Sequence, residues 1–287
     1  MFVVAGASGN TGKVVAETLL GQGRGVRVLV RAAAKGEAWK ARGAEVAVAE
    51  LDDAVALGKA LAGAEGAYLL LPPRFESTSV RADNGRRAQV LARAIDASGV
   101  KHVVFLSSVG AQHASGGGPI GSVHDAEATL SATRADVTFL RAAYFMENWG
   151  GSLFALDQGV LPTFLTADRA IPMVATHDIG TTAARLLLEG GQGKRVVELA
   201  GPREYSPREV AAALARVTKR DVAAQQGPEE AIVGALQGAG MNAEWAGLFA
   251  ELIHGVNVGH VDWEPGRARV RGSTDVEAVL AQLVAAR

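Results

Sequence analysis

Between Phe2 and Ser108, short and mainly apolar runs alternate with segments of helical period. "MFVVAG", "GVRVLVR", "AEVAVAEL", "GAYLLLPP" and "VKHVVFLSS" read as strands. Helices are expected from Lys13 to Leu20, closed by Gly21 and Gly23, across "AAKGEAWKARG" and "DAVALGKALAG", and from about Asn84 to Ser98, stopped at Gly99. Strands that are apolar on both faces and separated by helices require a parallel sheet covered on both sides. The first half of the chain is therefore expected to be a doubly wound α/β domain. With 287 residues, 48% of them hydrophobic, the chain is long enough to bury a large core as one two-lobed unit or as two unequal domains.

The second half has a different texture. After "VHDAEATLSATR" and "DVTFLR", read as helix and strand, comes "AAYFMENWGGSLFALDQGVLPTF", richer in aromatic residues than anything before it. "SPREVAAALARV" carries a helix start in which Ser206 is the N-cap, Pro207 lies in the first turn and Glu209 stands three residues after the cap. Gly227 to Val258 reads as helical with glycine breaks, and "STDVEAVLAQLVAAR" as a closing amphipathic helix. The expected division is a nucleotide-binding domain over 1–150, to which about 170–200 return, and a smaller C-terminal α/β lobe over 151–287.

Several function classes are excluded by composition. The formal net charge is −1 and no basic block stands out, so direct nucleic-acid binding is not expected. Cysteine is absent, which removes disulfides, thiolate metal sites and thiol catalysis and fits a reducing compartment. No apolar run approaches the roughly 20 residues of a membrane span and no signal segment is seen, so the expected location is cytoplasmic. His102, His113, His177, His254 and His260 are scattered without metal-ligand spacing, and Asp178 reads as a helix-start acid, so no metal site is expected. Neither a triphosphate loop ending in Gly-Lys-Ser/Thr nor a Gly-x-Ser-x-Gly elbow occurs.

The turn "GASGNTG" after the first strand is the candidate cofactor site. A glycine-rich connection into the first helix of a parallel sheet presents free backbone N–H groups and the positive end of the helix dipole at the carboxyl edge of the sheet. Gly6 would permit the tight turn, Gly9 the close approach of a pyrophosphate, and Gly12 close packing of helix on strand, while Ser8, Asn10 and Thr11 add polar side chains. A glycine-rich turn without a ligand is the plain alternative. At the end of the second strand stands Arg31, with Lys35 nearby and no acid, a charge pattern that favours NADP(H) over NAD(H); a merely solvated arginine would look the same. Glu50 and Leu51, at the end of the third strand, would flank the adenine, or Glu50 would belong to the start of the next helix.

"GASGNTG", Arg31, "LLLPP", "VVFLSSVGA" and "LRAAYFMENW", in this order, resemble the NmrA-like branch of the atypical short-chain dehydrogenase/reductases. The resemblance covers roughly the first 150 residues. It implies a Rossmann-type domain with a smaller C-terminal lobe and NADP(H) in the cleft, where Leu71, Pro72, Pro73, Ser107, Tyr144 and Phe145 would join the glycine turn. Some members of this group reduce quinones or other small carbonyl or conjugated substrates, and others bind the nucleotide as redox sensors and act through a protein partner. Active short-chain reductases carry a Tyr acid with a Lys four positions later, often followed after three more by Glu. Aligned on Glu127, the Lys position is His124 and the Tyr position Ile120, and the three tyrosines, Tyr68, Tyr144 and Tyr205, lie elsewhere.

Without that dyad, alcohol oxidation by the standard route is not expected, whereas hydride transfer to a quinone remains open because protons can come from water or a neutral donor. His124 would hydrogen-bond the nicotinamide ribose or donate a proton, or lie on a helix surface. Ser107 and Ser108 end the fifth strand at the ligand edge. Tyr144, Phe145, Met146 and Trp149, and Trp245, Phe249 and Leu252, form stripes of helical spacing that are either core or the wall of an apolar acceptor pocket. Two readings follow: an NADPH-dependent oxidoreductase acting on a small hydrophobic acceptor, and a non-catalytic NADP(H) sensor with a protein partner.

Overall fold

In the computed structural model, which describes residues 1–267 and 269–287, strands and helices alternate from the first residues. β1 (Phe2–Val4) leads into α1 (Asn10–Gly21) and β2 (Val26–Val30); α2 (Glu37–Lys40) then precedes β3 (Glu45–Val48). α3 (Ala54–Leu61), β4 (Gly66–Leu69), α4 (Val80–Ser98), β5 (His102–Ser108), α5 (Ile120–Ser131) and β6 (Asp136–Ala142) continue the pattern. Next come β7 (Tyr144–Phe145), a run of 3-10 turns over Met146–Gln158, β8 (Val160–Thr163), β9 (Ile171–Val174), α6 (Thr176–Glu189) and β10 (Lys194–Ala200). The chain closes with β11 (Glu204–Tyr205), α7 (Pro207–Thr218), β12 (Ala223–Gln226), α8 (Ile232–Gly238), α9 (Ala243–Asn257), β13 (Arg269–Arg271) and α10 (Val276–Ala285).

The main sheet has eight strands in the order β3-β2-β1-β4-β5-β6-β10-β13, and every neighbouring pair is parallel. Strand residues alternate between two apolar layers. Val4, Val28, Tyr68, Val104 and Leu140 pack with Val15, Leu19, Ile179 and Leu187 on the face covered by α1 and α6. Val3, Leu29, Leu69, Phe105 and Phe139 pack with Leu57, Leu61, Leu91 and Leu130 on the face covered by α3, α4 and α5. Both faces being covered explains the apolar strands, and each fully buried Leu or Phe contributes about 1.5–3 kcal/mol. α6 meets α1 at Gly180, where a Cβ would stand 2.9 Å from the Thr11 carbonyl oxygen and overlap Val14. β10 and β13 join the sheet from beyond residue 151, so the lobes interleave along the chain.

A third core, built on Met146, Trp149, Leu153, Tyr205, Leu214 and Leu280, supports the rest of the C-terminal half, with the small sheets β11-β9-β7 and β12-β8 beside it. α7 starts as its sequence indicates, with Ser206 and Glu209 forming a reciprocal capping box. Two local readings differ from the structure. α4 begins at Val80 rather than Asn84, because the Val80 N–H is capped by the Glu244 carboxylate of α9 at 3.2 Å, a partner 164 residues away. Tyr144 and Phe145 are strand rather than helix, since they pair with Met173 and Val174 of β9; Met146 and Trp149 then enter the third core, with Trp149 Nε1 donating to Met173 Sδ at 3.5 Å.

Candidate functional site

The order of the sheet reverses at β1, with β2 and β3 leaving on one side and β4, β5 and β6 on the other. Crevices at such a switch point, outside the carboxyl ends of the strands, are where open parallel sheets bind ligands. The Gly6–Gly12 turn leaves β1 there. Gly6 has φ +67°, and Gly9 N–H donates to the Gly6 carbonyl at 2.8 Å, closing the turn. A Cβ on Gly12 would stand 2.5 Å from the Ala5 carbonyl oxygen and overlap that of Gly6, so only glycine lets α1 lie this close to β1. Gly9 is the N-cap of α1 and no side chain caps the helix. Its first-turn N–H groups therefore face outward, as an anion requires.

Ser8, Gly9 and Asn10 are exposed on this turn, whereas Thr11 is buried and its Oγ1 accepts from Tyr68 Oη at 2.9 Å. Burial holds the Tyr68 phenol far above its ordinary pKa, so it stays protonated and donates to Thr11. Arg31 follows β2 directly, and both it and Lys35 are exposed with no ion pair among the described residues. Glu50 is exposed, Leu51 packs on the α3 side of the sheet, and Asp53, not Glu50, caps α3. Leu71 joins the same apolar layer, the Pro72 carbonyl accepts from buried Arg87 at 3.0 Å, and Pro73 is exposed.

α9 ties together the loops that leave β4 and β5. At its start, Asn242 Nδ2 donates to the carbonyls of Phe75 and Ser77, and Trp245 Nε1 donates to that of Arg74 at 2.8 Å. Trp245 lies between Phe75 and Phe249, with centroids 4.9 and 5.7 Å away, so this aromatic group closes a loop instead of forming an isolated stripe. Farther along, Glu251 accepts from Gly116 N–H at 2.6 Å, and side chains at Gly118 or Gly255 would strike backbone carbonyls of Leu248 or Gly116. The C-terminal lobe thus meets the β5–α5 loop at backbone contact.

His124 lies on α5 behind that loop. Its Nδ1 is 2.8 Å from the Ala111 carbonyl oxygen, which only accepts, so Nδ1 carries the hydrogen and Nε2 is left for another partner. Ile120, one turn earlier, is buried. Ser107 is also buried and donates its hydroxyl to Glu127 Oε1 at 2.6 Å; Ser108 donates to the Val109 carbonyl. Tyr144 is half-buried against Trp149, and burial raises its phenol pKa to about 12.

Under these residues runs a charged row that sequence reading missed. Ser107, Arg141 and Glu198 are register partners on β5, β6 and β10. Arg141, 4% exposed, makes a two-pronged pair with Glu127 at 2.9 and 2.6 Å and reaches Glu264 Oε2 at 2.6 Å. Arg267 and Arg141 hold the Glu264 carboxyl below its ordinary range, while burial pushes that of Glu198 up, one of whose oxygens accepts the Glu264 N–H while the other has no partner among the described residues. An arginine inside the apolar strand "DVTFLRA" was the available signal, since a buried arginine demands partners.

A model of the NmrA-like family matches residues 1–264. The chain belongs to the NmrA-like family. Among curated proteins it is similar to quinone oxidoreductase 2 of Escherichia coli, 29% identical over 267 residues covering 90% of this chain and 89% of the relative. The NAD(P)H azoreductase of Xenophilus azovorans is 26% identical over 258 residues, covering 88% and 86%. Among solved structures, the NADPH complex of the Escherichia coli NADPH-dependent quinone oxidoreductase superposes with a TM-score of 0.80 at 27% identity, covering 99% and 95%. The NmrA negative transcriptional regulator in complex with NAD shares the fold, with a TM-score of 0.74 at 18% identity over 98% and 94%. This NmrA-like chain thus has the Rossmann-type architecture that its strand pattern and glycine turn indicate. Among the described residues no helix is long and apolar enough to cross a membrane.

Proposed function

We propose that this NmrA-like protein binds NADP(H) at the switch point and serves as an oxidoreductase that passes hydride to a quinone or a similar small hydrophobic acceptor. The observation that carries the reading is the uncapped N-terminus of α1 behind Gly6, Gly9 and Gly12, opening where the sheet order reverses. The pyrophosphate would lie on the N–H groups of the first turn, with Ser8 and Asn10 beside it. Arg31 and Lys35 would take the 2′-phosphate. Leu71 to Pro73 and Glu50 with Leu51 would border the adenosine side, and Ser107, His124, Tyr144 and Phe145 the nicotinamide side. When bound, the nucleotide supplies the hydride. The protein's own part would be orientation and the supply of a proton, a role this reading gives to the His124 imidazolium through Nε2, with Nδ1–H donated to the Ala111 carbonyl. A chain without cysteine and, among the described residues, without a helix long and apolar enough to cross a membrane fits a cytoplasmic site of action.

NADPH oxidation followed by absorbance with a panel of quinones tests this reading. Turnover is expected, with His124→Phe lowering kcat by about tenfold or more; tight NADPH binding without turnover across the panel would reject it. That outcome would favour the sensor reading, which draws on Ile120 standing where a reductase carries its Tyr acid, and in which the lobes would signal to a protein partner. For the cofactor, Arg31→Asp is expected to weaken NADPH by about tenfold or more while leaving NADH unchanged or improved. Calorimetric titration of both nucleotides decides this, and equal affinities before and after the change would remove Arg31 from the site.

A further inference from the structure

Arg169, in the turn between β8 and β9, is a half-buried arginine without a partner. Its Nε is buried with no hydrogen-bond partner, and the side chain has no ion pair or hydrogen bond among the described residues. The other arginines that are not fully exposed are engaged: Arg27 with Glu45, Arg74 with Asp52, Arg87 with the Pro72 carbonyl, Arg141 with Glu127, and Arg195 with Thr138. A surface hollow of 660 Å³ between α7 and α10 shows the same economy, since Arg203 pairs there with Glu209 and Arg216 with Glu277. Nε is closed off from water, while Nη1 and Nη2, also without a partner among the described residues, are not, so an arginine held here needs a reason.

Its position supplies one. The guanidinium lies against Gly259, whose φ is +78° and where a Cβ would stand 2.5 Å from Nη2. A side chain at 259 would displace the guanidinium. The next residue, His260, stacks on His113 with centroids 4.1 Å apart, and donates from Nε2 to the Ser115 carbonyl at 2.8 Å. His113 and Ser115 belong to the β5–α5 loop that also presents the Ala111 carbonyl to His124. Arg169 therefore stands where the C-terminal lobe meets the loop that positions His124.

We propose that Arg169, lying against Gly259 next in sequence to the His260 that stacks on His113, anchors a carboxylate or sulfonate on an aromatic acceptor, so that the preferred substrates are anionic aromatic compounds rather than neutral quinones. A guanidinium fork matches either group with two parallel hydrogen bonds, and an aromatic body would lie along the apolar parts of the cleft. The substrate claim rests on the oxidoreductase reading above, whereas the anion site itself does not.

The test separates the two. Calorimetry with the NADP⁺-loaded protein compares naphthalene-2-sulfonate, which cannot be reduced, with the neutral naphthalene-2-carboxamide. The sulfonate is expected to bind about tenfold tighter or more, an advantage lost in Arg169→Gln and partly kept in Arg169→Lys. Kinetics then compare 1,4-naphthoquinone with its 2-sulfonate: in Arg169→Gln the sulfonate's KM rises about tenfold while kcat/KM of the parent quinone stays within about twofold. Equal binding of the two naphthalenes by the wild-type protein overturns the site without any variant. An equal loss for both quinones overturns it as well, because a structural role would not distinguish them. Arginine-dependent sulfonate binding without turnover of either quinone retains the anion site and rejects the oxidoreductase reading.

Discussion

Gly12→Ala is expected to destabilise the protein by about 3 kcal/mol and to abolish measurable nucleotide binding. Its new methyl would stand 2.5 Å from the Ala5 carbonyl oxygen and overlap that of Gly6, both on backbone that cannot rotate away. α1 must therefore move off β1, carrying with it the first-turn N–H groups that point at the switch point. Gly9→Ala is the control. There the methyl would approach only the Gly6 carbonyl oxygen, at 3.4 Å, so thermal stability should hold while nucleotide affinity reports what approaches the turn. Thermal unfolding and NADPH titration of both variants decide the matter: a fall in Tm of roughly 6–10 °C is expected for Gly12→Ala. A Gly12→Ala protein that melts and binds like the wild type would contradict the packing argument.

Arg141→Leu carries the second large effect, an expected loss of about 3–5 kcal/mol near neutral pH. Glu127 and Glu264 would lose the cation they share, and Glu198, its register partner, would lose the positive charge beside it. The pH dependence follows from the shifts of the two carboxyls Glu264 and Glu198. Glu264 has a lowered folded pKa, so its pairing stabilises the protein above the ordinary carboxylate range, and that contribution fades as pH falls through the folded value. Glu198 has a raised folded pKa, so its charge opposes folding above that value and the penalty disappears on protonation. Removing Arg141 weakens the first contribution and enlarges the second penalty. Both make the gap between variant and wild type widest at neutral pH and narrower in acid. Urea unfolding between about pH 4 and pH 8 measures it. A gap constant over that interval would assign the loss to packing alone.

The same residues show why sequence reading succeeded unevenly. Glu127 enters as the landmark for aligning a missing catalytic dyad, and the structure makes it a buried counter-ion of Arg141. Its position three residues after His124 is a local fact, whereas its partner lies on the next strand. Ser107 is likewise correctly placed at the carboxyl end of β5, but its hydroxyl is already donated to Glu127. Asp178 does stand in the first turn of α6, as a helix-start acid should; its buried carboxylate also holds the Thr274 N–H at 2.9 Å, which ties the segment before α10 to α6. Such contacts leave no trace in local spacing. Arg169, directly after Asp168 in "LTADRAI", gave no signal at all.

The sequence by itself determined the alternation of strand and helix, the two-faced apolar sheet and the glycine turn, because each follows from side-chain period and backbone freedom within a few neighbouring residues. Only the tertiary structure decided which late strands complete the sheet, where α4 begins, how Arg141 is neutralised and that Arg169 is not. Those outcomes depend on groups that are distant along the chain and are brought within hydrogen-bond reach when the lobes close. Burial follows from local pattern, but the pairing of charge is settled by what the closed fold places beside it.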